Sequence, residues 1–135
     1  MYRTREPLIK PGPPELVFHD KVVLAAAAAT VVFPVHLGFS HLWIYGEGRG
    51  DHTDLEVTVW VRFNGDSAGN YDNQALQANA ANPVGVENIG LANIALGAFP
   101  AATAPANVGG IVSAYIPNYS RSTFNKTTLS RAPIK

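Results

Sequence analysis

Apolar and polar residues alternate along several segments of this chain, and the alternation predicts β-strands. The clearest segment is 55–63, where Leu, Val, Val, Val and Phe occupy every second position. Nine residues of period two are typical of a strand with one buried face. The same alternation runs through residues 42–45 before it and residues 111–116 after it, where Pro117 ends the pattern.

Three weaker segments complete the predicted set of strands. Residues 31–37 contain Pro34, which marks an edge strand or a bulge. Residues 89–96 form a fifth candidate strand, and its alternation slips near Asn93 as it does at a bulge. Residues 122–129 are expected to pair as a last strand.

Turn-rich loops separate the strands, and no helical periodicity is sustained. Only Ala25–Ala29 and residues 73–81 can hold a helical turn, on the weak ground of alanine propensity. The glycine-rich segment 46–50 is expected to be a flexible connection. Short strands at this spacing predict an all-β fold, a jelly-roll-like antiparallel β-sandwich that occupies residues 17–135.

Residues 1–16 are predicted to form an extended N-terminal arm. Four prolines prevent a helix here and cannot donate to a strand ladder: Pro7, Pro11, Pro13 and Pro14. Since free termini are ordered only when something ties them down, we expect the arm to dock on a neighbouring chain. The apolar stretch 22–35 is shorter than the roughly 20 residues of a membrane-spanning helix, so we expect no membrane partner.

Composition indicates one domain with an extensively covered surface. The length of 135 residues matches a single domain on the usual scale of roughly 100–200 residues. Only 15% of residues are charged, against about 25% in ordinary proteins. Ten Lys and Arg balance ten Asp and Glu, which argues against a nucleic-acid partner. The absence of cysteine excludes disulfides and thiolate metal sites.

The charges are unevenly distributed along the chain. Residues 46–72 hold six of the ten acids, whereas residues 121–135 hold four bases and no acid. An acidic loop region and a basic tail on one molecule favour contacts between copies, so Arg121, Lys126 and Arg131 are candidate interface residues. A basic tail that is merely solvated is the alternative.

Candidate catalytic chemistry is sparse. The histidines at 19, 36, 41 and 52 do not have metal-ligand spacing. Residues 46–50 lack the Lys-Ser/Thr of a phosphate-binding loop, and no nucleophile elbow or ordered triad is present. We therefore expect no enzymatic activity, no cofactor and no resident metal.

Residues 64–72 offer several oxygen ligands, but their spacing favours a structural turn over a calcium site. An EF-hand loop needs a glycine and a closing glutamate at positions that this segment does not match. An Asn-Gly pair after a strand instead predicts a tight turn in which Gly65 has positive φ. The predicted turn residues are Asn64, Gly65, Asp66, Asn70 and Tyr71.

Aromatic residues provide the candidate recognition surface. Trp43 and Tyr45 point the same way along their strand, and Trp60 lies opposite the apolar face of its own. Together with Tyr71 they can form a platform that stacks on sugars. The same residues also suit a protein interface, which is the favoured interpretation.

The central segment resembles a recurrent pattern in structural proteins of tailed bacteriophages. The pattern is a strand of the type His-Leu-x-Ile-x-Gly, an arginine after the turn, and then Arg-Phe-Asn-Gly-Asp-x-x-x-Asn-Tyr. A later part carries Ile-Pro-Asn-Tyr and, close behind, Phe-x-Lys-Thr. This chain has them at residues 41–46, Arg49, 62–71, 116–119 and 124–127, so the resemblance covers roughly residues 33–128.

The resemblance implies a β-sandwich assembly module without catalysis. We expect a virion protein at the particle surface, in the first place a capsid decoration protein whose partners are the major capsid protein or other virion proteins. A homo-oligomer is expected, with a trimer favoured. A tail or baseplate component, or a receptor- or carbohydrate-binding module of the virion, remains the alternative.

Overall fold

The computed structural model describes residues 16–34, 38–79, 82–121 and 125–133. The chain divides into two compact units, an N-terminal unit of residues Met1–Pro34 and a C-terminal unit of residues Val35–Lys135. The predicted arm lies almost entirely outside the described residues, and so do the predicted strand residues 35–37 and 122–124.

Residues 16–34 of the N-terminal unit form neither a helix nor a strand. Ala25–Ala29 contains only bends, so the helical turn considered there does not form, and the predicted strand is absent from residues 31–34. Every residue of this segment is exposed. The Nε2 atom of His19 lies 3.3 Å from the carbonyl oxygen of Pro34, and this contact brings the two ends of the segment together.

The C-terminal unit is all-β and built from antiparallel sheets, in agreement with the β-sandwich that was predicted. The jelly-roll connectivity stays a prediction. The described part of the unit contains seven strands, which are β1 (Leu42–Gly48), β2 (Glu56–Val61), β3 (Tyr71–Asn79), β4 (Asn82–Leu91), β5 (Ile94–Pro100), β6 (Gly110–Ile116) and β7 (Leu129–Arg131).

The strands pair in three groups, in the orders β1–β6–β7, β2–β5 and β3–β4. β1 runs along the whole of β6, from Leu42 opposite Ile116 to Gly48 opposite Gly110. β7 pairs with the other edge of β6 through only three residues. Of the described part of the predicted strand at 122–129, residues 125–128 are not strand and only Leu129 belongs to β7.

The core lies where β5 packs on β6. Ile94 and Leu96 of β5 are buried against Val112 and Ala114 of β6. Ile44 of β1 packs around this cluster, and so do Val59, Val61 and Phe63, three of the alternating apolar residues of the 55–63 segment. Burial of alternate residues in β1, β2 and β6 confirms the period-two prediction for these segments.

A β-bulge shifts the phase of β5. Val59 lies opposite Gly97 whereas Trp60 lies opposite Ala95, so Leu96 is the extra residue. The sequence places this irregularity near Asn93, but there the strand is interrupted instead: β4 ends at Leu91 and β5 begins at Ile94. The single predicted strand at 89–96 is therefore wrong, because it spans the bend between two strands.

The glycine-rich segment is not the flexible connection that was expected. Gly46 and Gly48 belong to β1, and a Cβ atom on either residue would contact the ring of Phe99, at 3.7 and 3.1 Å. A Cβ atom on Gly50 would lie only 2.3 Å from Cγ1 of Val57. A Cβ atom would therefore fit at Gly46 and be tight at Gly48, whereas Gly50 is required because Val57 approaches its backbone closely.

β3 and β4 form a long hairpin, from Tyr71 opposite Leu91 to Asn79 opposite Asn82. The helical turn considered at residues 73–81 is wrong for 73–79, which are strand. Leu76 is 82% exposed and Ile89 is 73% exposed on this hairpin. An isolated two-stranded ribbon is marginally stable in water, so pairing with the rest of the unit or with a partner has to support it.

Candidate functional site

An exposed aromatic face covers the outer side of the β1–β6–β7 sheet. Trp43 of β1 lies directly opposite Tyr115 of β6, and their ring centroids are 6.1 Å apart. His41 stacks on Tyr115 with centroids 5.7 Å apart, and its Nδ1 atom lies 3.0 Å from the Tyr115 hydroxyl. The indole N–H of Trp43 donates to the hydroxyl of Ser113 at 2.9 Å. These contacts hold the rings in one arrangement.

The aromatic face combines exposure with order. Trp43 is 59% exposed and Tyr45 is 62% exposed, and Leu129 extends the apolar surface onto β7. Rigid aromatic rings that are half exposed and already fixed by hydrogen bonds lose little entropy when a partner covers them. This face can therefore act as the centre of a protein interface.

Trp60 lies on a different surface. It belongs to β2, which pairs with β5 and not with β1 or β6. Its ring is 50% exposed and lines a cleft together with residues of the β3–β4 hairpin. The predicted platform is therefore divided among three sheets, with Trp43 and Tyr45 on β1, Trp60 on β2 and Tyr71 on β3, because alternation assigns a residue to a strand face but not to a sheet.

The predicted turn residues do lie together. Asn64 and Gly65 have φ of 53° and 71°, and the amide of Asp66 donates to the carbonyl of Phe63 at 2.9 Å. Two successive residues of positive φ closed by this hydrogen bond make a type I′ turn. Gly65 thus has the left-handed conformation that the Asn-Gly pair predicts.

The carboxylate of Asp66 organises the rest of this turn. One oxygen accepts from the amide of Ala68 at 3.0 Å and the other from the side-chain amide of Asn70 at 2.9 Å. The hydrogen bond from Asn70, followed by that from Ala68, lowers the pKa of Asp66 below its usual range. Both carboxylate oxygens are therefore engaged in holding the loop.

Tyr71 also serves the turn. Its hydroxyl accepts from the amide of Phe63 at 3.2 Å and lies 3.3 Å from the carbonyl oxygen of Asp66. The ring packs against the core cluster. The Asn-Gly-Asp…Asn-Tyr pattern is thereby accounted for as a hydrogen-bonded turn at the end of β2.

The three basic candidate residues are not gathered into one patch by any contact in the described structure. Arg121 and Lys126 are linked, since the ammonium of Lys126 donates to the carbonyl of Arg121. Arg131 lies on β7 opposite Ser113, at the edge of the aromatic face. Arg131 is therefore placed where it can contribute charge to that face.

Sequence reasoning missed the role of Arg49. Its guanidinium donates to four carbonyl oxygens of the loop between β5 and β6, at distances from 2.6 to 3.2 Å. The acceptors are Ala102, Ala104, Pro105 and Val108. The sequence holds one indication of this role. Arg49 lies beside glycines that pack closely, and from such a position an arginine side chain can reach the backbone of a neighbouring loop.

Sequence reasoning also missed the amide side chains opposite Trp60. Asn73, Gln77 and Asn88 line the same cleft. The period-two spacing of Asn73, Ala75 and Gln77 indicates one strand face, but the alanine propensity of this segment suggested a helical turn instead.

Two further observations concern other kinds of site. Within the described ranges, no group of three or more His, Asp or Glu side chains is arranged to hold a metal ion. The same ranges contain no helix whose length and hydropathy suit a membrane span. Comparison with protein-family models, curated proteins and solved structures finds no match for the chain.

Proposed function

We propose that the chain is a structural component of a bacteriophage virion, and specifically a decoration protein that stabilises the capsid shell through protein–protein contacts. The sequence resemblance supports the virion assignment, since it covers most of the C-terminal unit. The exposed apolar surface of the chain supports attachment to other proteins, and it is the observation on which the proposal mainly rests.

That surface is most pronounced in residues 16–34. Nine large apolar side chains are exposed there, including Phe18 at 77%, Val23 at 76% and Val32 at 80%. Burial of an apolar side chain stabilises by about 1.5–3 kcal/mol, so covering the nine is worth on the order of 10 kcal/mol before the entropy of association. An exposed apolar segment of this kind suits docking on a neighbouring subunit.

The aromatic face supplies a second contact surface. Trp43, Tyr45 and Leu129 lie on a sheet that presents Arg131 at one edge. Aromatic residues and arginine are enriched in the energetically dominant parts of interfaces. The chain therefore has two contact surfaces. It can bind the shell through one of them and bind its own copies, in a trimer, through the other.

The test is the stability of particles with and without this chain. Particles that lack it are expected to lose their contents at lower temperature than complete particles, because a protein that binds only the assembled shell stabilises it by mass action. Adding the purified chain back should restore the difference. Equal thermal stability of complete and depleted particles rules out the decoration role.

A pair of matched variants tests the contact surface itself. Val23→Asp with Val32→Asp is expected to abolish rebinding, whereas Leu76→Asp, at a side chain that is 82% exposed on the hairpin, should leave rebinding unchanged. Labelled chain that rebinds to tails and not to shells would move the assignment to a tail or baseplate component.

A further inference from the structure

The cleft beside Trp60 has the composition of a ligand site. It has a volume of about 200 Å³ and lies between the outer side of β2–β5 and one side of the β3–β4 hairpin. Trp60 and Thr58 form one wall, and Asn73, Gln77 and Asn88 carry its amide groups. The volume is below the roughly 300–1,000 Å³ of drug-sized ligand sites, so it suits a single ring-sized group.

The backbone explains why these side chains meet. The β-bulge in β5 lies directly opposite the step from Val59 to Trp60, and bulges redirect the side chains beside them. On the hairpin, Asn73 and Asn88 are direct partners in the ladder, and Gln77 follows on the same face of β3. One aromatic ring thus faces a row of amides.

The polar groups of the cleft are available to a ligand. Neither the indole N–H of Trp60 nor the side-chain amides of Asn73, Gln77 and Asn88 hydrogen-bond to any of the described residues. Trp43 differs in this respect, because its indole N–H is already bonded to Ser113. Gln74, on the opposite face of β3, is likewise paired, with Glu87 at 3.0 Å.

The chemistry of the lining selects among ligand classes. No charged residue lines the cleft, so an anion or cation would find no counter-charge. A purely apolar ligand would cover three amides and leave them without hydrogen bonds. A neutral ring with hydroxyl groups fits, because its C–H face can stack on indole while adjacent hydroxyls bind the donor and the acceptor of each amide.

We propose that this cleft binds one unit of a neutral saccharide, with Trp60 as the stacking residue and Asn73, Gln77 and Asn88 as hydrogen-bonding residues. The site lies within the C-terminal unit of a single chain, so the inference does not rest on the proposed virion function. It also assigns saccharide binding to Trp60 and not to Trp43, whose indole N–H already donates to Ser113.

The experiment uses the full chain with glucose, galactose, mannose and N-acetylglucosamine, and with their disaccharides, as probes. Saturation-transfer NMR and titration of tryptophan emission should detect at least one of them with Kd of about 1 mM. In a Trp43→Phe variant Trp60 is the sole tryptophan, and its emission should still shift on binding. No response to any probe at about ten times that concentration overturns the proposal.

Variants locate the site. Trp60→Ala and Asn88→Ala are each expected to weaken binding at least about tenfold, while Trp60→Phe keeps part of it. Trp43→Ala, at a tryptophan of similar exposure, should keep full affinity. The far-ultraviolet CD spectrum and melting temperature of each variant serve as folding controls. Binding that survives Trp60→Ala in a folded protein contradicts the assignment. Cleft variants that lose self-association, in a chain that responds to no saccharide, also contradict it and would identify the cleft as a protein contact.

Discussion

Replacing Arg49 with methionine is expected to destabilise the C-terminal unit more than any other single arginine substitution in its described part. The guanidinium donates four hydrogen bonds to carbonyl oxygens of the β5–β6 loop, at 2.8 Å to Pro105, 3.0 Å to Val108, 3.2 Å to Ala102 and 2.6 Å to Ala104. Methionine keeps the apolar stem and removes all four donors.

The size of the effect follows from these contacts. A hydrogen bond to a charged group contributes about 1.5–3 kcal/mol when it is well shielded, but Arg49 is largely exposed. Discounting each bond to about 0.5 kcal/mol for solvent competition leaves a loss of about 2 kcal/mol in the free energy of unfolding. At roughly 4–8 °C per kcal/mol, the melting temperature should fall by about 8–16 °C.

Lysine at the same position separates charge from geometry. An ammonium keeps the positive charge but cannot reach four acceptors with the planar fork of a guanidinium, so Arg49→Lys should lie between the wild type and Arg49→Met. Arg131→Met is the matched control, because the guanidinium of Arg131 forms no hydrogen bond with the described residues, and this substitution should change stability by less than about 0.5 kcal/mol.

The assay is urea unfolding followed by tryptophan emission and by CD, with thermal melts at the same pH. A melting temperature for Arg49→Met within about 2 °C of the wild type, or equal losses for Arg49→Met and Arg131→Met, would refute the reasoning. Either result would mean that the loop carbonyls are satisfied as well by water as by Arg49.

Three further predictions concern the turn after β2. Gly65→Ala should cost about 1 kcal/mol in urea unfolding, since φ is 71° and no atom lies near the added Cβ, while Gly85→Ala, which also meets no atom, should cost no more than a few tenths. A chelator should leave the melting temperature unchanged, and a drop of several degrees would restore the calcium interpretation. The pKa of Asp66 is lower in the folded protein than in the unfolded chain. Its ionised carboxylate therefore contributes to the free energy of unfolding above the unfolded pKa of about 3.9, and this contribution is lost as the pH falls through the lower folded value. The acid limb of the stability profile should therefore be shallower in Asp66→Asn, and an identical acid limb would contradict this.

The strands with one buried face were predictable because burial imposes the period-two pattern directly. β1, β2 and β6 each carry alternating apolar residues that pack on the shared core, so their positions agree with the sequence. β3 shows no such apolar pattern, since its half-buried positions after Tyr71 are Asn73 and Ala75, which are polar or small. Its strand conformation follows from pairing with β4 in the hairpin, which the propensity of single residues does not encode.

The candidate surfaces were harder to predict for a related reason. The alternation of side chains along a strand correctly places Trp43 and Tyr45 on one face, and it correctly places Trp60 opposite the apolar side of β2. It does not say that β1 pairs with β6 while β2 pairs with β5, and that pairing separates the tryptophans.

The division of the tryptophans changes what each of them can do. Trp43 is fixed by Ser113 and Tyr115 on an open sheet face, where a flat partner can cover the rings without rearrangement. Trp60 lies in a concave site whose polar groups are unpaired within the described structure, and a concave site suits a small ligand. A chain with both surfaces can hold a protein with one sheet and a saccharide beside the other. Because the two surfaces share no residue, substitutions at one should leave the other intact.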